Sequence, residues 1–341
     1  MSLNKNLFDA ALHPGIRALI ASSNQYLRQT ESVTFNSLLD SSGQFLEGVS
    51  FLRNCPLCNK SHYEGSLEIS AHGMQLLRCP QCQLIYSREV INKKIELERY
   101  VASSTSDANL ALKINSAYAT LEQKKSNYVI ARLVEYAGNK GRLLDIGSST
   151  GSLLLAAEAN GWGACGIEIN VEAVNISKKN GLSVICDEFP CQFPEDWRDF
   201  NAVSLFDVLE HIVEPLDFLA ELSMHVPPGG WLMIQVPNYR SLLLTIEGAK
   251  NNNICHGHWS YFEEETLLKL MQKAGYEVKF FETYITELDR VFMHSDQDIS
   301  SAWFTLTGEC LTQPRNLTVD QLHEYLLGYK LFGLFQKVSS V

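Results

Sequence analysis

The sequence predicts an α/β protein with a parallel sheet, preceded by a small metal-binding module. Three observations predict this fold. Segments with strand and helix periodicity alternate between residues 142 and 284, a pattern typical of a parallel sheet with helices on both faces. A glycine-containing turn follows the first of these strands, as in folds that bind ligands at the carboxyl ends of their strands. Two Cys-x-x-Cys pairs precede the alternating region, and this spacing is typical of structural metal sites.

The composition is that of an ordinary globular protein. The 341 residues are 45% hydrophobic and 20% charged, which excludes a disordered, collagen-like or disulfide-dense chain. No apolar run approaches the roughly 18 residues of a membrane span. The first residues also lack the apolar run and small-residue cleavage site of a secretory signal. We therefore expect a cytoplasmic protein in a reducing compartment, without membrane association.

Charge is distributed unevenly along the chain. The net charge is −11, and residues 141–341 carry 13 Lys/Arg against 27 Asp/Glu, whereas residues 50–140 carry 12 against 8. An acidic body repels a phosphate backbone, so a nucleic-acid partner is disfavoured. With a polar linker near 101–109, the sequence divides into a helical segment, a metal-binding module and a larger α/β domain, at residues 1–50, 51–100 and 110–341.

The four cysteines of the module form two pairs, C-P-L-C and C-P-Q-C, separated by 20 residues: Cys55, Cys58, Cys79 and Cys82. Four thiolates at this spacing predict one tetrahedral site, with structural Zn²⁺ as the favoured ion. Iron bound by four thiolates, a redox-active dithiol and two unrelated pairs are the alternatives. His62 lies in the spacer and is expected at the surface rather than on the metal. Four protein ligands leave no open coordination position, so the metal is expected to stabilise the fold.

The elements of the α/β domain follow a helix that begins near residue 121 and ends at a glycine. Hydrophobic periodicity and turn residues predict strands at 142–146, 163–168, 182–186, 200–206, 230–236 and 276–284. The same criteria predict helices at 151–160, 171–180, 214–225 and 263–274. Beyond the sixth strand, the sequence predicts only a helix near 318–327 and a last strand near 329–338.

The turn after the first strand carries the clearest chemical signal, in R-L-L-D-I-G-S-S-T-G at residues 142–151. Gly147 and Gly151 let the backbone approach a ligand, but Ser149 occupies the middle glycine position of the dinucleotide pattern, which argues against a nicotinamide cofactor. Glu168 ends the next strand, where an acid can bind both ribose hydroxyls. Asp145 precedes the turn and suits a ligand with an ammonium group. An adenosine with an amino-acid head and no phosphate, S-adenosylmethionine (SAM), fits both acids.

At these residues the chain resembles the class I SAM-dependent methyltransferases, over roughly residues 120–285. The resemblance implies a Rossmann-like seven-stranded methyltransferase sheet behind the small zinc-ribbon module. It also implies cofactor contacts from Asp187, at the adenine, and from Phe206, at the start of F-D-V-L-E-H-I. In that segment Glu210 and His211 are expected at the methionine end of the pocket. Packing and solvent exposure are the alternative roles of these residues.

The acceptor side is indicated by H-G-H-W-S-Y-F at residues 256–262. A histidine can abstract a proton near neutral pH, and neighbouring aromatic rings can shape an acceptor slot. Together with the zinc module, this segment resembles the bacterial sugar C-methyltransferases and their relatives. That resemblance implies that His258 is the catalytic base, with His211 and Glu210 as alternates. Cys255 replaces a tyrosine of that family, and the carboxy-terminal part is shorter here, so the acceptor atom stays open.

The sequence therefore predicts a SAM-dependent methyltransferase that uses in-line transfer to a small-molecule acceptor, with histidine-assisted deprotonation. A nucleotide-linked or glycan-pathway sugar, or a natural-product intermediate, is the acceptor that the resemblance implies. An RNA-modifying enzyme that grips its substrate with the zinc ribbon is one alternative. A non-catalytic zinc-dependent interaction module is the other. The sequence does not predict an oligomeric state.

Overall fold

A computed structural model of the chain describes residues 3–101 and 110–338. Residues 102–109 of the predicted polar linker at 101–109 lie outside the described residues. Within the described ranges, no helix is both long enough and apolar enough to cross a membrane.

The larger domain is built on a seven-stranded sheet with the strand order β12-β13-β10-β9-β6-β7-β8. These strands are β6 (Arg142–Ile146), β7 (Gly163–Glu168), β8 (Ser183–Cys186), β9 (Ala202–Phe206), β10 (Trp231–Pro237), β12 (Tyr276–Tyr284) and β13 (Lys330–Lys337). Every residue of β10 is buried, as expected for a strand covered on both faces. The predicted seven-stranded α/β fold is thus confirmed.

The prediction of a parallel sheet is wrong for one strand, which runs antiparallel to its neighbours. Strands β6 to β10 pair in parallel. Strand β13 pairs antiparallel with both β10 and β12. It lies between two strands that precede it in the chain and runs opposite to both, a direction that alternation of strands and helices does not reveal.

Helices cover the sheet and connect its strands. In chain order they are α1 (Pro14–Asn36), α2 (Lys93–Val101), α3 (Ser116–Ala137), α4 (Ser152–Ala159), α5 (Val171–Lys179), α6 (Pro215–Ser223), α7 (Leu242–Glu247), α8 (Glu264–Lys273), α9 (Leu288–Val291), α10 (Asp296–Thr307) and α11 (Val319–Glu324). Several begin at a side chain that caps free backbone N–H groups, as Asn170 does for α5.

The carboxy-terminal region holds more structure than the single helix and strand that the sequence predicts. Helices α9 and α10 were not predicted. Helix α10 begins at Ser295, whose hydroxyl accepts the backbone N–H of Asp298, and buries Ile299, Ala302 and Trp303 on one face. Because its first turn is acidic and its apolar positions are few, the sequence pattern of this short amphipathic helix is similar to that of a polar loop.

The amino-terminal module contains β1 (Ser50–Leu52), β2 (Ser66–Ala71), β3 (Met74–Arg78), β4 (Ile85–Ser87) and β5 (Glu89–Ile91). Strands β1 and β5 form a pair, and β2, β3 and β4 form a sheet whose edge is extended by β11 (Ser260–Tyr261). That last strand comes from the larger domain and pairs antiparallel with β4. The module is therefore completed by a segment about 175 residues away in sequence.

The module and the larger domain share one hydrophobic core. Leu84 and Tyr86 of the module belong to the same buried cluster as Phe262 and Leu267. The first residues of the chain also contact the larger domain, because Asp9 accepts hydrogen bonds from the backbone N–H and the hydroxyl of Thr286. Displacement of the module would expose apolar surface of the larger domain.

Candidate functional site

A cavity of about 860 Å³ opens at the carboxyl ends of the central strands. Its wall includes a residue just after each of four neighbouring strands: Gly147 after β6, Ile169 after β7, Asp187 after β8 and Asp207 after β9. Parallel strands bring these four turns to one edge of the sheet. The cavity therefore lies where α/β sheets bind ligands.

The turn after β6 requires glycine at residue 147. Gly147 has φ +78°, and a Cβ there would lie 2.8 Å from Cγ2 of Val208. The backbone N–H groups of Gly147 and Ser148 donate to the carbonyl of Ile167 at 2.8 and 3.1 Å. These bonds fix the turn against β7, so its backbone forms part of the cavity wall.

The carboxylate of Glu168 is held rigidly at the end of β7. The backbone N–H of Ser149 donates to Oε2 at 2.8 Å, and the backbone N–H of Asn170 donates to Oε1 at 2.7 Å. Each oxygen therefore keeps acceptor capacity for a further donor. A carboxylate fixed in this way can accept two neighbouring hydroxyl groups.

The structure brings six of the predicted site residues together on the cavity wall: Gly147, Ser149, Glu168, Asp187, Phe206 and His211. Gly151 lies outside the lining and starts α4 in a left-handed conformation. A Cβ on Gly151 would lie 2.3 Å from Leu182, so this glycine permits close packing of the turn.

Asp145 also lies outside the cavity lining. Its side chain is 3% exposed, and the hydroxyl of Ser204 donates to it at 2.6 Å. Burial raises its pKa to about 7, although the hydrogen bond from Ser204 opposes that shift. Asp207, just after the end of the neighbouring strand β9, lines the cavity, whereas Asp145 does not.

Lys113 and Asp207 line the cavity but were not predicted from the sequence, and Trp259 was predicted only as one of the aromatic residues beside His258. Lys113 donates to the hydroxyl of Ser149 at 2.8 Å, and it lies next to the polar linker, where no motif marks it. The carboxylate of Asp207 accepts a hydrogen bond from Nζ of Lys330 at 2.7 Å. Its position between the predicted site residues Phe206 and Glu210 was the signal in the sequence that could have identified it. Trp259 lines the cavity beside the predicted histidine.

A cluster of three titratable side chains lies beside the cavity. The ligand atoms of Glu210, His211 and His258 are all within 4.8 Å of one another, and the two imidazole rings meet edge-on with centroids 4.7 Å apart. His211 lines the cavity, whereas His258 lies outside the lining. The structure thus brings the three predicted acid–base residues together, with His211 at the wall.

Backbone carbonyls orient both imidazole rings. Nδ1 of His211 donates to the carbonyl of Gly257 at 2.8 Å, and Nδ1 of His258 donates to that of Asn253 at 2.9 Å. A carbonyl oxygen only accepts, so the hydrogen is on Nδ1 and the lone pair is on Nε2 in each neutral ring. Both rings therefore present a basic nitrogen.

Burial shifts the ionisation of this cluster. Glu210 is 1% exposed, and neither of its carboxyl oxygens has a hydrogen-bond partner among the described residues. Burial, reinforced by the charge of Asp207, raises the pKa of Glu210 to about 8. Burial, and next the neighbouring His211, lower the pKa of His258 well below its usual value. Near neutral pH, the carboxyl of Glu210 is therefore mostly protonated and His258 is neutral.

The four cysteines converge on one point in the module. All four sulfur atoms lie within 4.8 Å of one another, and the Cys55–Cys82 and Cys58–Cys79 pairs of sulfurs are each 3.4 Å apart. Zinc at about 2.3 Å from each thiolate separates tetrahedral ligands by about 3.8 Å. The donor set and its spacing therefore fit one tetrahedral ion.

Two similar turns bring the cysteines together. The residue after each Cys-x-x-Cys pair, Asn59 or Gln83, has a left-handed conformation with φ +57° or +68°. Its N–H donates to the carbonyl of the first cysteine of the pair, Cys55 or Cys79, at 2.8 or 3.0 Å. Each pair therefore wraps around a single point.

The amino-terminal module also contributes to the cavity. Phe51, Val90 and Ile91 lie on its wall, together with Lys93 of α2. Lys93 forms an ion pair with Glu188, in the turn after β8, at 2.8 Å. The cavity is thus enclosed partly by the sheet and partly by the module.

Known proteins with similar sequences are methyltransferases. Residues 120–279 match the family model described as "Methyltransferase domain". The ubiquinone biosynthesis O-methyltransferase of Thiobacillus denitrificans is 26% identical over 159 residues, which are 42% of this chain and 66% of that protein. The enzyme of the same name from Chromobacterium violaceum is 28% identical over 129 residues, 36% of this chain and 55% of that protein. The chain thus spans about half to two thirds of these relatives.

Among solved structures, the magnesium protoporphyrin IX methyltransferase of Synechocystis with bound SAM has a TM-score of 0.44 and 13% identity, covering 72% of this chain and 97% of that chain. The match over residues 120–279 supports a SAM-dependent methyltransferase domain, and the seven-stranded sheet agrees with the predicted class I fold.

Proposed function

We propose that the protein transfers the methyl group of SAM to a small-molecule acceptor. The observation that carries this proposal is the carboxylate of Glu168, held by two backbone N–H groups beside the glycine turn of an 860 Å³ cavity. Such a carboxylate suits the two hydroxyl groups of an adenosine ribose. The glycine turn beside it lets the backbone approach the ligand, which a bulky side chain would prevent. SAM supplies an activated methyl group, so the protein must align the acceptor and exclude water.

We assign each part of SAM to a side chain on the cavity wall. Glu168 would accept the two ribose hydroxyls, and Asp187 would accept the adenine amino group. At the other end, the ammonium and carboxylate of the methionine part would pair with Asp207 and Lys113. This assignment uses Asp207 for the role that the sequence predicts for Asp145, because Asp145 lies outside the lining and bonds to Ser204.

The histidine cluster is the proposed site of proton removal. His211 reaches the cavity wall and presents Nε2 as its basic nitrogen, so we assign it to the acceptor. His258 lies behind it with its ring 4.7 Å away and keeps the local environment uncharged. The sequence predicts the reverse order, with His258 as the base. A neutral imidazole serves as a general base, and it loses this capacity when it is protonated.

The cysteine cluster is proposed to hold one structural Zn²⁺. All four ligands come from the protein, so the ion would stabilise the module and leave no position for a reacting group. The resulting module would keep Val90 and Ile91 in the cavity wall.

Charge restricts the acceptor. Eight acidic side chains and two lysines of the described chain line the cavity, so a diphosphate group would meet repulsion. A sugar without phosphate charges is therefore favoured over a nucleotide-linked sugar. An intermediate of ubiquinone biosynthesis is the acceptor class that the names of the relatives suggest.

Transfer of labelled methyl from SAM tests the proposal on matched acceptors. The zinc-loaded full chain is incubated with a ketosugar, the same sugar linked to a nucleoside diphosphate, and an intermediate of ubiquinone biosynthesis. We expect transfer to an uncharged acceptor and at least about tenfold less to its nucleotide-linked form, a difference of about 1.4 kcal/mol. Preference for the nucleotide-linked form would contradict the charge argument. Absence of SAM binding would contradict the proposal itself.

A further inference from the structure

Arg53 is a buried cation at the junction between the module and the larger domain. It is 6% exposed and lies two residues before Cys55. Its guanidinium donates three hydrogen bonds to backbone carbonyls: Nε to Ser87 at 3.0 Å, Nη1 to Val213 at 2.5 Å, and Nη2 to Trp259. One side chain of the module thus binds two separate loops of the larger domain.

Both loops carry the proposed acid–base residues. Val213 is two residues after His211, and Trp259 directly follows His258. The loops also contact each other directly, because the N–H of Trp259 donates to the carbonyl of Glu210 at 2.8 Å. The guanidinium therefore spans the two chain segments whose separation sets the distance between the imidazole rings.

Packing alone does not account for a cation at this position. No direct ion pair of Arg53 is found in the part of the chain that the structure describes. Its charge is compensated by three carbonyls, by the charge of nearby Glu214, and by the ring of Tyr86, 5.6 Å from the guanidinium carbon. Removal of an unpaired charge from water is costly, and an apolar side chain would avoid that cost. The planar fork of donors, however, can bind several carbonyls in fixed directions.

We propose that Arg53 is a positioning residue that holds the loops of His211 and His258 in their paired arrangement. The inference rests on the proposed function of these histidines. Through Arg53, the position of the cysteine module controls the geometry of the acid–base cluster. The paired strands β11 and β4 provide the second connection between module and loop.

The tautomers of the two histidines report on this role. In the intact arrangement, the carbonyls of Gly257 and Asn253 hold the hydrogen on Nδ1 of each ring. The bond between His211 and Gly257 joins the two loops, so it weakens if they separate, and the ring of His211 then redistributes its hydrogen between Nδ1 and Nε2. The bond between His258 and Asn253 lies within one loop, so His258 keeps its tautomer and serves as an internal reference. A purely structural loss elsewhere in the module would leave the tautomers unchanged.

The test compares Arg53→Met and Arg53→Lys with the parent protein in the full, zinc-loaded chain. Nitrogen NMR of labelled histidines, assigned with His211→Asn and His258→Asn variants, measures the tautomers. In Arg53→Met we expect the dominant Nδ1–H form of His211 to become the minor form while His258 keeps its tautomer, with SAM affinity changed by less than about threefold. In Arg53→Lys, one ammonium can bind only part of the carbonyl set, so an intermediate loss is expected.

Arg88→Gln is the matched control, because Arg88 belongs to the same module, is partly exposed and pairs with Glu89 instead of the two loops. This control should keep the parent tautomers. Unchanged tautomers in folded Arg53→Met, or in Arg53→Lys where the methionine variant does not fold, would overturn the inference. A parent protein that fails to bind SAM would instead count against the proposed function, so the two failures are distinguishable.

Discussion

Glu168 is the residue on which cofactor binding depends most. Its carboxylate is already fixed by the N–H groups of Ser149 and Asn170, so it binds hydroxyl groups without further ordering. We expect Glu168→Ala to weaken SAM binding by about 10- to 100-fold, as for the loss of hydrogen bonds to a charged group. Isothermal titration calorimetry measures the change. Glu172→Ala, an exposed acid in the first turn of α5, should bind SAM normally; equal affinities of both variants would place the ribose elsewhere.

The two histidines can be separated by their effects on the rate. Because His211 reaches the cavity and His258 does not, His211→Ala should lower methyl transfer by about 10²–10⁴-fold. His258→Ala should have a smaller effect, and neither substitution should change SAM affinity. Single-turnover kinetics with the accepted substrate measure both rates. A larger loss in His258→Ala would restore the assignment predicted from the sequence.

Glu210 makes stability depend on pH. Its pKa is 4.5 in the absence of perturbation and about 8 in the folded protein, so the folded state binds the extra proton between these values. The free energy of unfolding therefore falls as pH rises through this window. Glu210→Gln removes that dependence. Between pH 5 and pH 8, the free energy of unfolding of the variant minus that of the parent should therefore increase by at least about 1.4 kcal/mol, the equivalent of one pKa unit.

Urea unfolding at a series of pH values measures this difference. Glu265→Gln is the control, because Glu265 is an exposed acid on α8, and its curve should run parallel to that of the parent. A parallel curve for Glu210→Gln would show that the carboxyl group is ionised in the folded protein.

Sequence reasoning located much of the candidate site because strand ends determine it. Gly147, Glu168 and Asp187 follow recognisable strands, and parallel pairing brings their turns together. Lys113 could not be predicted, since it approaches Ser149 only through the packing of a distant segment. Asp145 was assigned to the cofactor from its place before the turn, but side chains alternate along a strand, and its own points to Ser204.

At the scale of elements, we expect the proposed metal site to support the strand that follows His258. Strand β11 pairs with β4 of the module, and the cysteine turns fix the sheet to which β4 belongs. Cys58→Ser should lose the metal and increase amide hydrogen exchange at Tyr261, while Leu144 in β6 stays protected. Elemental analysis and exchange NMR measure the two effects. Cys310→Ser, which changes an exposed cysteine outside the cluster, should leave both unchanged; full metal content in Cys58→Ser would contradict the proposed site.

The elements that the sequence predicts best are those with local signals. Strands Arg142–Ile146, Gly163–Glu168 and Tyr276–Tyr284 have the predicted bounds, because glycine residues lie next to the ends of these short apolar or alternating segments. Strand Ser260–Tyr261 is only two residues long and exists because β4 lies beside it. No local pattern can predict such a strand, since its hydrogen bonds depend on tertiary packing.

For the whole molecule, one core joins the module to the methyltransferase domain, and both parts line the cavity. Apolar residues of the module face the ligand space that the sheet opens. We therefore expect metal binding, loop position and ligand binding to be coupled through continuous packing and through Arg53. Such coupling makes the whole chain, and not the domain alone, the unit to be tested.

The most direct test of the central claim is calorimetric titration of SAM into the zinc-loaded chain, compared between the parent, Gly147→Val and Gly181→Val. Both glycines have positive φ, +78° and +81°, but a Cβ on Gly181 meets nothing within 4 Å, so that variant reproduces the backbone strain away from the cavity. We predict one SAM bound per chain in the parent and in Gly181→Val, and no binding in folded Gly147→Val. A parent that binds no SAM, or a Gly147→Val protein with unchanged affinity, would contradict the account.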